Sequence, residues 1–185
     1  MQNFLKTFEQ MKIIKTNFKD LKIYQKQSFK DQRGYTRELF DNRLLNKKFP
    51  FDLISLSRKN VIRGLHFQIK KPQGKFITVL RGKIFDIAVD CRMKSKTFGR
   101  YFSIILSEKE NVSLYIPEGF AHGYCSLTDN SLIHYKMTNY RDSKLEKGIL
   151  WNDNSIKIKW PVKKPIISIK DKRNMTFNEY IKIYE

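Results

Sequence analysis

Residues 73–92 read QGKFITVLRGKIFDIAVDCR, two apolar runs joined by the break Arg81-Gly82. Runs 75–80 and 84–89 are rich in Ile, Val and Phe and are too short for helices, which marks them as strands meeting at a tight turn. Working outward, six further runs of the same kind lie at 21–25, 53–56, 101–106, 112–116, 121–127 and 132–137. Turn-forming stretches at 107–111, 117–119 and 128–130 separate them. Helical periodicity is confined to 38–47 and, after the last strand, to 174–184. No helices alternate with the strands, so a βαβ fold is excluded. The pattern predicts an all-β sandwich, jelly roll or barrel with short peripheral helices.

The chain has 185 residues, enough for one domain with a real core. Aromatics make up 14% of it, which argues against disorder, and no apolar stretch approaches the roughly 18 residues of a membrane span. Cys91 and Cys125 are too few for a disulfide framework, and charges interrupt the N-terminus where a signal peptide would be apolar. We therefore expect a cytoplasmic protein with free thiols. Lys and Arg total 37 against 18 Asp and Glu, a net charge of +19. Such charge suits anionic ligands such as phosphates. Of the basic residues 27 are Lys, spread along the chain with no arginine-rich arm, so a dedicated nucleic-acid interface is not expected.

Three histidines carry most of the chemical signal: His66, His122 and His134. His66 lies in NVIRGLHFQ (60–68) and His122 in PEGFAHGY (117–124). Each has a nearby glycine, Gly64 or Gly123, at a strand-like position where backbone or ligand approaches closely. The spacing of His, Cys and carboxylates does not suggest a metal site. Asp86 sits inside an apolar strand and needs a partner there. Lys75 and Tyr135 each fall within a strand, where a solvated lysine and a core tyrosine are the ordinary readings. No phosphate loop, GxSxG elbow or Cys/His nucleophile pair is present.

Taken together, several long segments resemble the dTDP-4-dehydrorhamnose 3,5-epimerases, cupins of nucleotide-sugar biosynthesis. These are DQRGYTRELF (31–40), VIRGLHFQ (61–68), the stretch 73–92, IPEGFAHGY (116–124), HYKMTNY (134–140), EKGILWND (146–153) and SIKD (168–171). The match is colinear from about Met11 to Asp171. It implies an N-terminal extension at 1–10, one cupin jelly-roll domain at 11–173 and a tail at 174–185 that is helical.

The resemblance also implies a reaction: epimerisation beside the ketone of a nucleotide-diphosphate 4-keto-6-deoxy sugar, without metal or redox cofactor. His66 would be the base and Asp171 its carboxylate partner. Lys75 would face the enolate oxygen, and Tyr135 would be the acid on the opposite face. His122 would lie near the sugar with Asp86 beside it, Arg63 and Arg33 would hold the diphosphate, and Glu38, Glu146 and Lys170 would contact substrate. Family members are typically homodimers that share strands, so the segment with Arg33 and Glu38 would reach the partner's site.

Two departures bear on substrate choice. Where the family usually carries Gln-x-Asn, this chain has Phe51-Asp52-Leu53, and where a second aromatic usually follows the acid, it has Arg141. The resemblance places both positions near the nucleotide base. The alternatives are the same reaction on a GDP-, CDP- or heptose-linked substrate, a 3,4-ketoisomerase cupin, and a non-catalytic sugar-nucleotide or polyanion binder.

Overall fold

A computed structural model describes residues 12–184; the extension expected at 1–10 lies outside the described residues. In chain order the strands are β1 (Lys12–Lys15), β2 (Lys22–Gln25), β3 (Ser28–Asp31), β4 (Gly34–Arg37), β5 (Phe51–Ser57), β6 (Ile62–Gln68) and β7 (Lys75–Arg81). They continue with β8 (Lys83–Asp90), β9 (Tyr101–Ser107), β10 (Val112–Ile116), β11 (Phe120–Ser126), β12 (Ser131–Met137) and β13 (Glu146–Gly148). Two helices, α1 (Ile169–Lys172) and α2 (Phe177–Tyr184), follow. All eight expected strands are present.

Two sheets face each other, ordered β1-β2-β10-β7-β12-β5 and β13-β6-β11-β8-β9, and β3-β4 is a separate hairpin. Period-two alternation divides the apolar residues among three cores. Between the sheets pack Ile77, Val79, Ile84, Ala88, Ile133 and Tyr135 with their neighbours. The opposite faces of β6 and β8 give Leu65, Phe67, Ile87 and Val89, which are covered by Ile149, Ile156 and α2. On the outside of the larger sheet, Tyr24, Phe76 and Tyr115 are covered by Leu45, Phe40 and Phe49. The second face of each sheet is thus dry over much of its area, which explains why β7 and β8 read as largely apolar runs rather than strict alternations and why β11 is buried along its whole length.

The helix expected at 38–47 does not form. The one regular element there is a 3-10 turn at Asn42–Leu44, where the Asp41 carboxylate accepts the Arg43 N–H at 2.9 Å. Phe40, Leu45 and Phe49 are spaced to cover a sheet rather than one face of a helix, and Phe40 lies 5.0 Å from Phe76 and 4.8 Å from Phe49. The helix expected at 174–184 begins at Phe177. A reciprocal capping pair sets its start: Thr176 Oγ1 accepts the Glu179 N–H at 3.1 Å, and Glu179 accepts the Thr176 N–H at 2.7 Å. Tyr180 then donates its hydroxyl to the Cys91 carbonyl at 2.7 Å and locks α2 to the sheet.

β6 has no continuous apolar run because Gly64, Arg63, His66 and Gln68 interrupt it. It survives as a strand because Gly64 packs directly on Gly123 of β11. A Cβ on Gly64 would lie 2.5 Å from the Gly123 Cα, and Gly64 has φ +130, so only glycine fits. The ladder slips at this contact. His66 stands opposite His122, while Arg63 stands opposite Tyr124, so Gly64 and Leu65 together face Gly123 alone. The extra residue is a β-bulge.

Candidate active site

The bulge aims side chains into a cavity of about 400 Å³ at one end of the space between the sheets. His66 and Arg63 of β6, Lys75 of β7, His122 and Tyr124 of β11 and Tyr135 of β12 line it. They come from four strands of the two sheets, so the site exists only when the barrel is closed. Arg141 and Glu146 complete the wall on the chain that leads into β13.

His66 Nε2 is 2.7 Å from Asp171 Oδ1. Asp171 lies on α1 and is held from three sides. The Ser168 hydroxyl accepts its N–H at 3.0 Å, the Gly64 N–H donates to its second oxygen at 3.3 Å, and the His66 ring meets the first. Burial pushes the Asp171 carboxyl up, but these hydrogen bonds outweigh it and hold the group below its ordinary value. The carboxylate stays ionised and accepts a hydrogen bond from Nε2–H, which leaves Nδ1 with the ring's lone pair. The His66 side chain is 28% exposed and lines the cavity.

Deeper in the cavity, His122 Nε2 is 2.9 Å from Asp86 Oδ2, and both side chains are buried. Burial lowers the imidazole and raises the carboxyl, each away from its charged form. Asp86 Oδ1 is buried without a hydrogen-bond partner among the described residues. Lys75 is also buried and donates to the His66 carbonyl at 3.3 Å. Desolvation pulls its ammonium down to about 8, against the raising influence of Glu146 and Asp86. Tyr135 is buried too, and desolvation pushes its phenol well above the ordinary value. It therefore remains a proton donor at neutral pH.

Glu146 accepts Arg141 Nε at 2.6 Å and Lys170 Nζ at 2.5 Å. Burial pushes the carboxyl up, yet the two cations hold it down at about 2. Lys170 and Asp171 are neighbours on α1, so one helical turn supplies both the partner of His66 and the clamp on Glu146. Arg63 donates through Nε to Ser57 Oγ at 3.0 Å and through Nη2 to the Leu56 carbonyl at 3.2 Å.

Nine of the eleven residues expected from sequence gather at this cavity or at its immediate supports. Arg33 and Glu38 do not. Arg33 caps the β3-β4 hairpin, paired with Asp31 at 2.5 Å, and Glu38 is exposed just beyond β4. Neither lines the cavity of its own chain, because the hairpin pairs with no strand of the two sheets. His134 points outward, 3.2 Å from Asp52. Tyr124, Ser55 and Met137 also line the cavity and were not singled out from sequence. The alternation that places Leu53 inside also places Ser55 there, and that signal was available. Phe51, Leu53 and Arg141, the positions of departure, all stand on the cavity wall. Among the described residues no group of three His, Cys, Asp or Glu side chains forms a metal-ligand set.

The chain is similar to known proteins of one family. The sequence profile of the family described as dTDP-4-dehydrorhamnose 3,5-epimerase matches residues 15–179. A dTDP-4-dehydrorhamnose 3,5-epimerase of Shigella flexneri is 41% identical over 174 residues, spanning 90% of this chain and 96% of that protein. A dTDP-6-deoxy-D-glucose-3,5-epimerase from Legionella pneumophila, solved in complex with dTDP-4-keto-L-rhamnose, superposes with TM-score 0.88 at 37% identity, covering 91% of this chain and 94% of that one. The dTDP-4-dehydrorhamnose 3,5-epimerase of Bacillus anthracis, solved with TDP and PPi bound, gives TM-score 0.87 at 39% identity, covering 90% and 99%. The fold is that of the cupin jelly-roll epimerases.

Proposed function

The chain belongs to the dTDP-4-dehydrorhamnose 3,5-epimerase family, and from that premise we propose that it epimerises a dTDP-linked 4-keto-6-deoxy sugar at C3 and C5 with the cavity residues described above. The ketone at C4 acidifies the hydrogens on both neighbouring carbons. His66, oriented by Asp171, removes one of them through its free ring nitrogen. The Lys75 ammonium stabilises the enolate oxygen that develops at C4. Tyr135 returns a proton from the opposite face, which inverts the centre. A positioned base and a positioned acid are each worth roughly 10²–10⁴ in rate. Arg63 offers its guanidinium to the diphosphate.

The observation that carries this reading is the 2.7 Å His66–Asp171 pair in the same cavity as a buried, protonated Tyr135. Its test is proton exchange. Purified protein is incubated in deuterated water with dTDP-4-keto-6-deoxyglucose, and C3 and C5 are followed by NMR. Deuterium incorporation with inversion is expected. Absence of exchange at both carbons overturns the proposal.

We also propose a homodimer in which the β3-β4 hairpin carries Arg33 and Glu38 to the partner's cavity. Supporting this, Phe29 and Tyr35 on that hairpin are 56% and 57% exposed, a large apolar area for a free surface. Light scattering is expected to report a dimer, and a monomer at working concentration overturns the arrangement.

A further inference from the structure

Behind Tyr135 lies a run of hydroxyls that the reaction as described does not use. Tyr124 is buried at 2% exposure, yet its phenol oxygen is fully engaged, 3.0 Å from Ser55 Oγ and 2.8 Å from Ser57 Oγ. Ser57 in turn accepts Arg63 Nε–H at 3.0 Å, and Ser55, paired with Ile133 on β12, stands diagonally across from Tyr135 on the same cavity-facing side, within reach of its phenol. The order is therefore Arg63, Ser57, Tyr124, Ser55, Tyr135, drawn from strands β5, β6, β11 and β12.

The direction of one bond is fixed. A guanidinium has no lone pair to accept with, so Ser57 must accept from Arg63. The Ser57 hydroxyl is then free to donate to Tyr124, Tyr124 to Ser55, and Ser55 to Tyr135. Every hydroxyl can point its hydrogen toward Tyr135 at once, with a permanent cation at the far end. Before the reaction Tyr135 needs no such help. Once its proton has gone to carbon, a phenolate is left in a buried site, where an unpaired charge is costly.

We propose that Ser57, Tyr124 and Ser55 form a donor chain anchored on Arg63 that stabilises the Tyr135 phenolate produced when Tyr135 protonates the substrate carbon. No proton needs to leave the chain. The O–H bond of Tyr135 breaks, a C–H bond forms, and the hydroxyl hydrogens turn toward the new anion. Tyr124 is thus a positioning residue that acts on Tyr135 through Ser55. Hydrogen bonds aligned this way polarise one another, so the chain acts as a unit.

The inference rests on Tyr135 as the acid, and the test keeps the two apart. Tyr124→Phe, Ser55→Ala and Tyr135→Phe are compared in deuterated water, with deuterium exchange and net inversion measured separately. Without the chain the enolate returns to His66 more often than it is protonated by Tyr135. Tyr124→Phe is expected to lower inversion about tenfold, the worth of a hydrogen bond to a charged group, and to keep exchange within about twofold. Ser55→Ala should behave alike, and the double variant should lose no more than either single one, since each cuts the same chain. Equal loss of exchange and inversion in both variants would mean a merely structural role and overturns the proposal. So does normal inversion in Tyr124→Phe while Tyr135→Phe is inactive. Normal inversion in Tyr135→Phe itself removes the acid assignment, and the chain falls with it.

Discussion

Arg63 and His66 point into the same cavity although they lie three residues apart on one strand, where regular alternation would place them on opposite faces. The bulge at Gly64 and Leu65 makes up the difference. It depends on two glycine backbones in contact, because a Cβ on Gly64 would sit 2.5 Å from the Gly123 Cα and 2.8 Å from the His122 carbonyl oxygen. Gly64→Ala should therefore cost about 2–4 kcal/mol, from backbone overlap and an unfavourable φ together. Thermal unfolding checks the stability. Fitted Michaelis constants should show that whatever activity remains has lost binding as well as turnover, since Arg63 and His66 move together.

In the proposed mechanism Asp171 acts through His66, 2.7 Å away. Asp171→Asn keeps the shape but offers an amide that cannot both accept the Nε2 proton and stabilise an imidazolium. We expect turnover to fall by roughly 10²–10³ with little change in KM. His66→Asn should abolish deuterium exchange at both C3 and C5. Retained exchange in that variant would move the base to another residue.

The basic limb of the pH profile should belong to Lys75. Enolate stabilisation requires the ammonium, and burial has brought Lys75 down to about 8. Activity is therefore present below that value and lost as pH rises through it. Tyr135 cannot supply this limb, because desolvation pushes its phenol well above its ordinary value. In kcat/KM the limb should fall near pH 8. Lys75→Met should lower activity by about two orders of magnitude, the typical loss of one oxyanion stabiliser, and the limb should disappear.

The strands and the chemistry were legible in the sequence for different reasons. Runs such as 75–80 and 84–89 are apolar on both faces because both faces are covered, and that alone marks them. His66, Lys75, Tyr135 and Asp171 were found through motif resemblance; their composition favoured ordinary structural roles. What stayed hidden depended on contacts between distant segments. β6 required Gly64 to meet Gly123, and the Tyr124 hydroxyl meets Ser55 and Ser57 on β5 from 69 and 67 residues away. The failed helix at 38–47 is the converse case, since Phe40 and Phe49 are drawn to an aromatic sheet face that local periodicity does not reveal.

Glu146 makes the site sensitive to acid. Its folded value of about 2 lies below the ordinary 4.5 because Arg141 and Lys170 favour the carboxylate. A depressed carboxyl stabilises the fold at pH above the unfolded value and ceases to do so as pH falls through the folded one. The contribution should fade between about pH 4.5 and 2. Its size is reduced by solvent around Arg141 and Lys170, which are 50% and 53% exposed. Glu146→Gln should flatten the melting temperature across that window and leave the slope above it unchanged.

The last expectation concerns the nucleotide. Phe51 and Leu53 present carbon to the cavity, and Phe51 lies 6.1 Å from the exposed ring of Tyr140. Arg141 has its Nε engaged by Glu146, and its guanidinium face remains a stacking surface for a planar base. Neither Phe51 nor Leu53 can read the edge of a base by hydrogen bonds, whereas edge-reading groups discriminate strongly because a wrong partner leaves them unpaired. Selection among bases should then be shallow. Values of kcat/KM for dTDP-, UDP- and GDP-linked 4-keto-6-deoxy sugars should fall within about tenfold of one another, the range typical of apolar pockets. Phe51→Gln combined with Leu53→Asn should sharpen the preference by supplying amides to that wall. A dTDP preference above a hundredfold in the unaltered enzyme would show that base selection lies elsewhere, and the hairpin bearing Arg33 and Glu38 would be the next place to substitute.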